Sequence, residues 1–415
     1  FNLSHTRHES KDFCCGKVLA VRSERFYRQT AGGEKMRIAL KKSEVSEAVQ
    51  AVAGIAPQRS TRPILYNMLL KPEQNGRIRL MATDLDVSIG WTVPAAVSGG
   101  KDAVLIGARK LADMVREAPE DDIQIEAEGE KATITSGRAH FTLNTVDASE
   151  YPSLPDCPKT AVTISLADLA ALVDKTSFAV AKDEIRYAIN GIYVVAEGKT
   201  IELTGTDGHR LANATGKLHK SAADGIAAIA PVKLLNEIPK LYSLLAKTAG
   251  AGEGEEENST PPSVTADISV SESEVFVKVG DVVLSGRQLE GTYPKYKEVI
   301  PKELKEKVEI NKEKFLAALR RAALVTTEET RSVAIEIRGN VVKVSGRDPE
   351  VGTSEEEVDA KFEGEAREVA FDPRYLRDGL AKLKEDAVKL EVEDNERAGV
   401  VREPGYIYVL MPIRR

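Results

Sequence analysis

Asp207 and His209 stand two residues apart within Thr206-Asp-Gly-His-Arg-Leu-Ala212, the nearest approach in the chain to an acid–base pair. On a strand, residues two apart share a face, so carboxylate and imidazole could act on one substrate. Catalysis needs more than that. No nucleophile motif, Gly-rich phosphate loop or cluster of metal-ligand residues accompanies the pair, and only five histidines occur in the chain. Cys14, Cys15 and Cys157 match neither metal-ligand nor disulfide spacing, which suits a reducing cytoplasm. No catalytic residue, metal or cofactor is therefore expected. More telling is a recurrent spacing: Asp84 and Lys110, Asp207 and Lys233, and Asp348 and Arg374 each lie 26 residues apart. One spacing at three places points to a repeated module and not to a single reactive centre.

Each pair sits in the same succession of expected elements. Ile38-Ala-Leu-Lys-Lys-Ser-Glu-Val45, Ile164-Ser-Leu-Ala-Asp-Leu-Ala-Ala171 and Val308-Glu-Ile-Asn-Lys-Glu-Lys-Phe315 each read as an alternating strand, a polar break and a helix-period run. A second strand-into-helix unit follows in Leu105–Leu111, Ala228–Leu234 and Val369–Tyr375, where Pro231 and Pro373 suit a first helical turn. Between the two units a strand ends in Asp84, Asp207 or Asp348, and stretches such as Thr200-Ile-Glu-Leu-Thr204 alternate as half-buried strands do. The first two repeats also share Ser136-Gly-Arg138 and Ser285-Gly-Arg287, followed by Tyr151-Pro152 and Tyr293-Pro294. The expectation is an α+β protein of three homologous domains, 36–159, 160–303 and 304–415, each with two helices packed on antiparallel sheet. Thr248–Pro262, rich in Gly, Glu and Pro, reads as an exposed insertion in the second domain. Residues 1–35 are basic and lack the apolar run of a signal peptide; Met36 is the expected start and 1–35 a leader outside the fold.

Composition agrees with several cores, since 415 residues exceed one compact domain and 42% of them are apolar. No stretch approaches the roughly 18 apolar residues of a spanning helix, so no membrane partner is expected. A net charge of −7 argues against a uniformly basic nucleic-acid binder but leaves room for one basic face. Candidates for that face lie on the six expected helices: Lys110, Arg116, Lys175, Lys233, Lys240, Lys314, Arg320, Arg321, Arg374 and Arg377, with Lys42, Arg109 and Lys312 nearby. If the repeats set all six helices on one side, these cations would hold phosphates without reading bases. A sequence-reading DNA binder would instead carry one recognition helix rich in Arg, Asn or Gln.

Thr206–Ala212, Gly291-Thr-Tyr-Pro-Lys-Tyr-Lys-Glu-Val-Ile-Pro301, Phe371-Asp-Pro-Arg-Tyr-Leu376 and Tyr408-Val-Leu-Met-Pro-Ile-Arg414 closely resemble the signature stretches of the bacterial DNA polymerase III beta subunit family, the DNA sliding clamps. The resemblance runs in order from Met36 to the C-terminus. It implies a non-catalytic processivity factor of the DNA-clamp fold. Two chains would close head to tail into a homodimeric ring around duplex DNA, with helices lining the hole and sheets outside. At each interface Arg138, Phe141 and Leu143 of the first domain would face Leu324, Val325 and the acidic run Glu355, Glu356 and Glu357 of the third. It further implies a pocket between the second and third domains for short motifs of partners. These would be the DNA polymerase III alpha subunit, the clamp loader, other DNA polymerases, ligase and mismatch-repair proteins, met in the cytoplasm at the nucleoid. The pocket would be built from Ile189, Thr206, Gly208, His209, Arg210, Leu211, Pro294, Val299, Tyr375, Val409, Leu410, Met411, Pro412, Ile413 and Arg414. Arg59, in the loop Pro57–Arg62, would touch DNA. Three positions depart from the family pattern: Glu298 stands where a basic residue is common, Thr330 where a larger group closes the pocket, and Arg415 extends the end.

Overall fold

The computed structural model describes residues 35–414 except 101–102, 160, 183–186, 222–224, 251–263, 304–306 and 328–330. The leader up to residue 34, the insertion from 251 to 262, Thr330 and Arg415 lie outside the described residues. The first domain runs β1 (Met36–Lys41), α1 (Lys42–Ile55), β2 (Asn67–Glu73), β3 (Arg77–Thr83), β4 (Val87–Pro94), β5 (Ala96–Ser98), β6 (Val104–Gly107), α2 (Ala108–Glu117), β7 (Asp122–Glu128), β8 (Lys131–Ser136) and β9 (Ala139–Val146). The second repeats the order with β10 (Val162–Ser165), α3 (Leu166–Thr176), β11 (Gly191–Glu197), β12 (Thr200–Thr206), β13 (Arg210–Lys217), β14 (Ile226–Pro231), α4 (Val232–Leu235), α5 (Glu237–Gly250), β15 (Thr265–Val270), β16 (Glu274–Val279), β17 (Val282–Arg287) and a short α6 (Tyr296–Val299). The third has β18 (Val308–Asn311), α7 (Lys312–Ala322), β19 (Val333–Arg338), β20 (Val341–Asp348), β21 (Gly352–Lys361), β22 (Arg367–Phe371), α8 (Pro373–Leu380), β23 (Ala387–Glu391), β24 (Gly399–Glu403) and β25 (Tyr406–Leu410). Three homologous α+β domains are thus what the chain forms.

The repeated Asp has one local task in all three. Asp84 Oδ1 accepts from the backbone N–H of Asp86 and Val87, Asp207 Oδ1 from His209 and Arg210, and Asp348 Oδ1 from Glu350 and Val351, all within 2.9–3.1 Å. Each carboxylate closes the turn that leads its strand into the next, satisfying two N–H groups a hairpin loop would otherwise leave bare. Gly208 takes φ 88 inside this turn, where Leu85 in the first domain has φ 81; the left-handed conformation favours glycine there. The 26-residue spacing holds to within one helical position, because Lys233 and Arg374 are the second residues of their helices and Lys110 is the third. The Ser-Gly-Arg likeness does not hold. Ser136 ends β8 and opens its turn, whereas Ser285 lies inside β17 and faces Ser88, so the two triplets are not equivalent. Tyr151 and Tyr293 do correspond: each is buried after its domain's last strand and donates its hydroxyl to a backbone carbonyl, of Asn67 at 3.1 Å and of Thr204 at 2.9 Å.

Strand pairing fuses the domains. The first 13-stranded sheet reads β10-β15-β16-β17-β4-β3-β2-β6-β9-β8-β7-β1-β5, and the 12-stranded one reads β14-β11-β12-β13-β25-β24-β23-β18-β21-β20-β19-β22. The second domain gives four strands to each, so β17 against β4 joins it to the first domain and β13 against β25 joins it to the third. One continuous apolar core, from Met36 to Leu410, runs beneath both. The longer helices pack in pairs, α1 with α2, α3 with α5 and α7 with α8. Neighbouring pairs meet at the junctions: α1 and α5 flank one cleft over Ile89 and Leu284, and Lys382 just past α8 reaches Asp174 of α3 at 2.6 Å. The result is a single row, α2-α1-α5-α3-α8-α7, along one side of the molecule. Lys42 and Lys312 open the first helices of their domains and donate to Ala118 O (2.7 Å) and Leu383 O (3.0 Å) just past the ends of α2 and α8, where a cation meets the negative end of the helix dipole.

Candidate partner-binding cleft

The junction of the second and third domains carries a mainly apolar opening. Its floor follows from strand register: β13 and β25 set Leu211 opposite Val409, both buried, and Ile189 packs beside them. The ladder runs past β25, since Met411 N donates to His209 O at 2.9 Å, which holds Met411 at the rim. Behind the floor the rings of Tyr193 and Tyr293 stack at 4.9 Å, with Tyr296 edge-on to both. Burial pushes the Tyr293 and Tyr296 hydroxyls above their ordinary pKa, with the Glu202 carboxylate adding to the effect at Tyr296, so both stay neutral donors. Met411 is 47% and Val299 59% exposed, large apolar groups left at the mouth of a cavity of about 880 Å³. That shape and lining suit an apolar side chain or two from a short peptide.

Ten of the expected pocket residues line this cavity: Ile189, Thr206, Gly208, His209, Arg210, Leu211, Pro294, Val299, Val409 and Met411. Leu410 does not, because strand alternation turns it the other way into the main core at 1% exposure. Tyr375, Pro412, Ile413 and Arg414 also lie off the lining: Tyr375 stacks on His209 at 6.4 Å, and Ile413 N donates to Ala370 O. Lining residues outside the expected set are Ala188, Glu290, Gly291, Thr292, Lys295, Tyr296 and Glu298; Tyr296 was legible in the aromatic spacing of Tyr293-Pro-Lys-Tyr296.

Arg210 is held by the protein itself. Its guanidinium donates to Asp207 Oδ2 (3.0 Å), Asp378 Oδ2 (2.6 Å) and Phe178 O (2.8 Å), and lies 4.4 Å over the Tyr375 ring. Burial opposes the cation, but the Asp378 and Asp207 carboxylates outweigh it and hold its pKa above the ordinary value. Its role is to clamp the two domains and stiffen the cleft wall. The other junction has a matching bond, Asp84 of the first domain to Lys233 of the second.

The expected cations do not form one uniform face. Arg59, Lys110, Arg116, Lys240, Lys314 and Arg320 are exposed. Lys175 is engaged inside the junction, 4.0 Å from Glu403 and 4.9 Å over Tyr406, where burial lowers its pKa against the pull of Glu403. Arg374 forks onto Asp372 at its own helix start, Arg321 pairs with Glu356, and Arg377 is half-buried. Of the expected interface residues, Leu324 is 78% exposed, Arg138 and Glu355 are exposed, and Phe141, Leu143, Val325 and Glu356 are half-buried. Among the described residues no group of three or more His, Cys, Asp or Glu could hold a metal, and no helix is long and apolar enough to cross a membrane.

A threefold repeat with a row of helices on one side and an apolar cleft at a domain junction defines a scaffold protein of the clamp type. Three family models match in order: the N-terminal domain of the DNA polymerase III beta subunit over residues 36–155, its central domain over 163–250 and its C-terminal domain over 297–414. The beta sliding clamp of Proteus mirabilis is 30% identical over 384 residues, and that of Vibrio cholerae 29%, each match covering 91% of this chain and 100% of the relative. The crystal structure of the DNA polymerase sliding clamp from Pseudomonas aeruginosa superimposes with a TM-score of 0.82 at 27% identity, covering 92% of this chain and 100% of that one. The chain belongs to the DNA polymerase III beta subunit family, the sliding clamps, which are processivity factors and not enzymes.

Proposed function

We propose that two copies of this chain close head to tail around duplex DNA and tether the replicative polymerase, and that the cleft at Leu211 and Met411 receives its linear motif. The observation that carries the ring is one unfilled junction. Within each domain the fourth strand of the repeat (β4, β13, β21) and the last strand (β9, β17, β25) are the joining strands. β4 is joined to β17 and β13 to β25. That leaves β21 and β9 without a joining partner: among the described residues, 139–144 pair only with β8, and 352–359 only with β20. Residues 139–146 of β9 and 352–357 of β21 alternate half-buried and exposed, whereas β17 and β25, the joined equivalents of β9, are mostly buried. A second copy supplies what each end lacks, and the heterologous contact closes because the same step has already been taken twice inside the chain.

The helix row would then face the hole, with Lys110, Arg116, Lys240, Lys314 and Arg320 toward the phosphates, and no recognition helix is needed. Clamp loader, other polymerases, ligase and mismatch-repair proteins would share the same cleft, and the protein would act in the cytoplasm at the nucleoid. Encirclement and base reading part on one test. Loaded onto a closed circular plasmid, the protein stays bound through gel filtration and leaves when the circle is cut once. Equal retention on circular and linear DNA overturns the ring.

A further inference from the structure

The two internal junctions share one register. The first residue of β4, Val87, meets the fifth residue of β17, Gly286; the first residue of β13, Arg210, meets the fifth of β25, Leu410. Carried to the remaining junction, the rule sets Gly352, first in β21, opposite Leu143, fifth in β9. The half-buried faces then agree without adjustment, Phe141 opposite Ser354 and Ala139 opposite Glu356. On the outward face His140 comes opposite Glu355, and Arg138, in the turn before β9, opposite Glu357.

Resting on the ring reading, we propose that His140 of one copy and Glu355 of the other form a cross-junction pair that ties ring closure to pH. In the single chain His140 is exposed and its Nδ1 lies 3.1 Å from Thr135 Oγ1, and among the described residues no carboxylate is bonded to it. Closure brings the imidazole to cross-strand distance of a carboxylate, where opposite charges attract. The groups facing it from β21 are Glu355, Glu357 and Asp359. From β20 they are Lys343, bonded to Glu355 at 2.8 Å, and Arg347; from β19 they are Glu336 and Arg338, and from its own hairpin Lys131 and Arg138. Lys343 and Arg138 take up part of the acidic field, yet Glu355 remains the group directly opposite. The imidazolium is thus favoured in the closed ring, whose stability is greatest below the ordinary histidine range and declines as pH rises through it.

Two junctions per ring double the effect. The dimer dissociation constant, read by sedimentation at submicromolar protein, is expected to fall about five- to tenfold from pH 8 to pH 6. His140→Gln removes that slope and His140→Lys gives a tight ring at both pH values. His140→Cys with Glu355→Cys yields a disulfide-linked dimer on oxidation that neither single variant forms. A dimer of pH-independent affinity, a slope that survives His140→Gln, or failure of the double cysteine variant to cross-link overturns the pair while leaving the ring. A chain that stays single at every pH and concentration overturns the ring itself.

Discussion

Tyr151 and Tyr293 show how a single residue type can be fixed by the repeat and still have different consequences. Their neighbours are equivalent residue for residue: Leu69, Met81 and Leu105 around Tyr151 correspond to Tyr193, Thr204 and Ile229 around Tyr293. In the first domain this patch closes as a small satellite core. In the second, Tyr193, Tyr296 and the third domain's Val409 enlarge it into the floor of the cleft. Burial pushes the Tyr151 hydroxyl up to about 12, and raises Tyr293, Tyr406 and Tyr408 likewise. Because the folded value lies above that of the unfolded chain, near 10, stability is intact below pH 10 and declines as pH rises toward 12. Tyr151→Phe is expected to cost about 1 kcal/mol at pH 7 for the lost bond to Asn67 O and to lose less on going to pH 11.5 than the parent does, as read by urea unfolding. At the cleft, Met411→Glu places a charge in an apolar mouth from a half-exposed position. A polymerase-derived peptide should bind at least tenfold more weakly while the dimer is unchanged, and an unchanged peptide affinity removes the cleft from the proposal.

At the scale of elements, close approach explains residues that propensity would reject. Gly379 lies inside α8, where alanine is ordinarily better by about 1 kcal/mol. A Cβ there would fall 2.0 Å from the Tyr408 ring, whose hydroxyl donates to Tyr375 O at 2.7 Å. Gly379→Ala should therefore destabilise by about 3 kcal/mol, opposite in sign to the helix-propensity expectation, in a denaturant titration. Gly205 and Gly346, each two residues before the turn Asp, play the same part where α3 and α7 end over their sheets, next to Thr176 O and Ala322 O. Period and spacing made the strand-into-helix units legible, since alternating and 3.6-residue patterns are local. The false match of Ser136-Gly-Arg138 to Ser285-Gly-Arg287 came from reading identity without register, which only strand pairing supplies.

For the whole molecule, the two sheets that cross domain boundaries join the three domains into one continuous body with unlike ends. Leu324, 78% exposed at one end, has no task inside the chain and can be changed without disturbing a core. The parent should sediment at twice the chain mass, and Leu324→Glu should shift it toward single chains at equal concentration with unchanged circular dichroism; a parent of single-chain mass contradicts closure. The charge total of −7 fits this arrangement, since exposed cations can gather on the helix row while carboxylates populate the rest.

The amino-acid sequence by itself determined the threefold repeat, the α+β class, the recurrence of an aspartate at one place in each repeat and, through the family resemblance, most of the cleft residues, because all of these are written in local patterns or in motifs that travel as short segments. Tertiary structure decided which side chains are available. Leu410 was lost to the core by strand alternation, Arg210 was drawn into a clamp with Asp207 and Asp378, and Lys175 and Lys233 were taken up at the junctions. Partners far apart along the chain compete for each charge, and only the folded arrangement settles which of them is near enough to hold it.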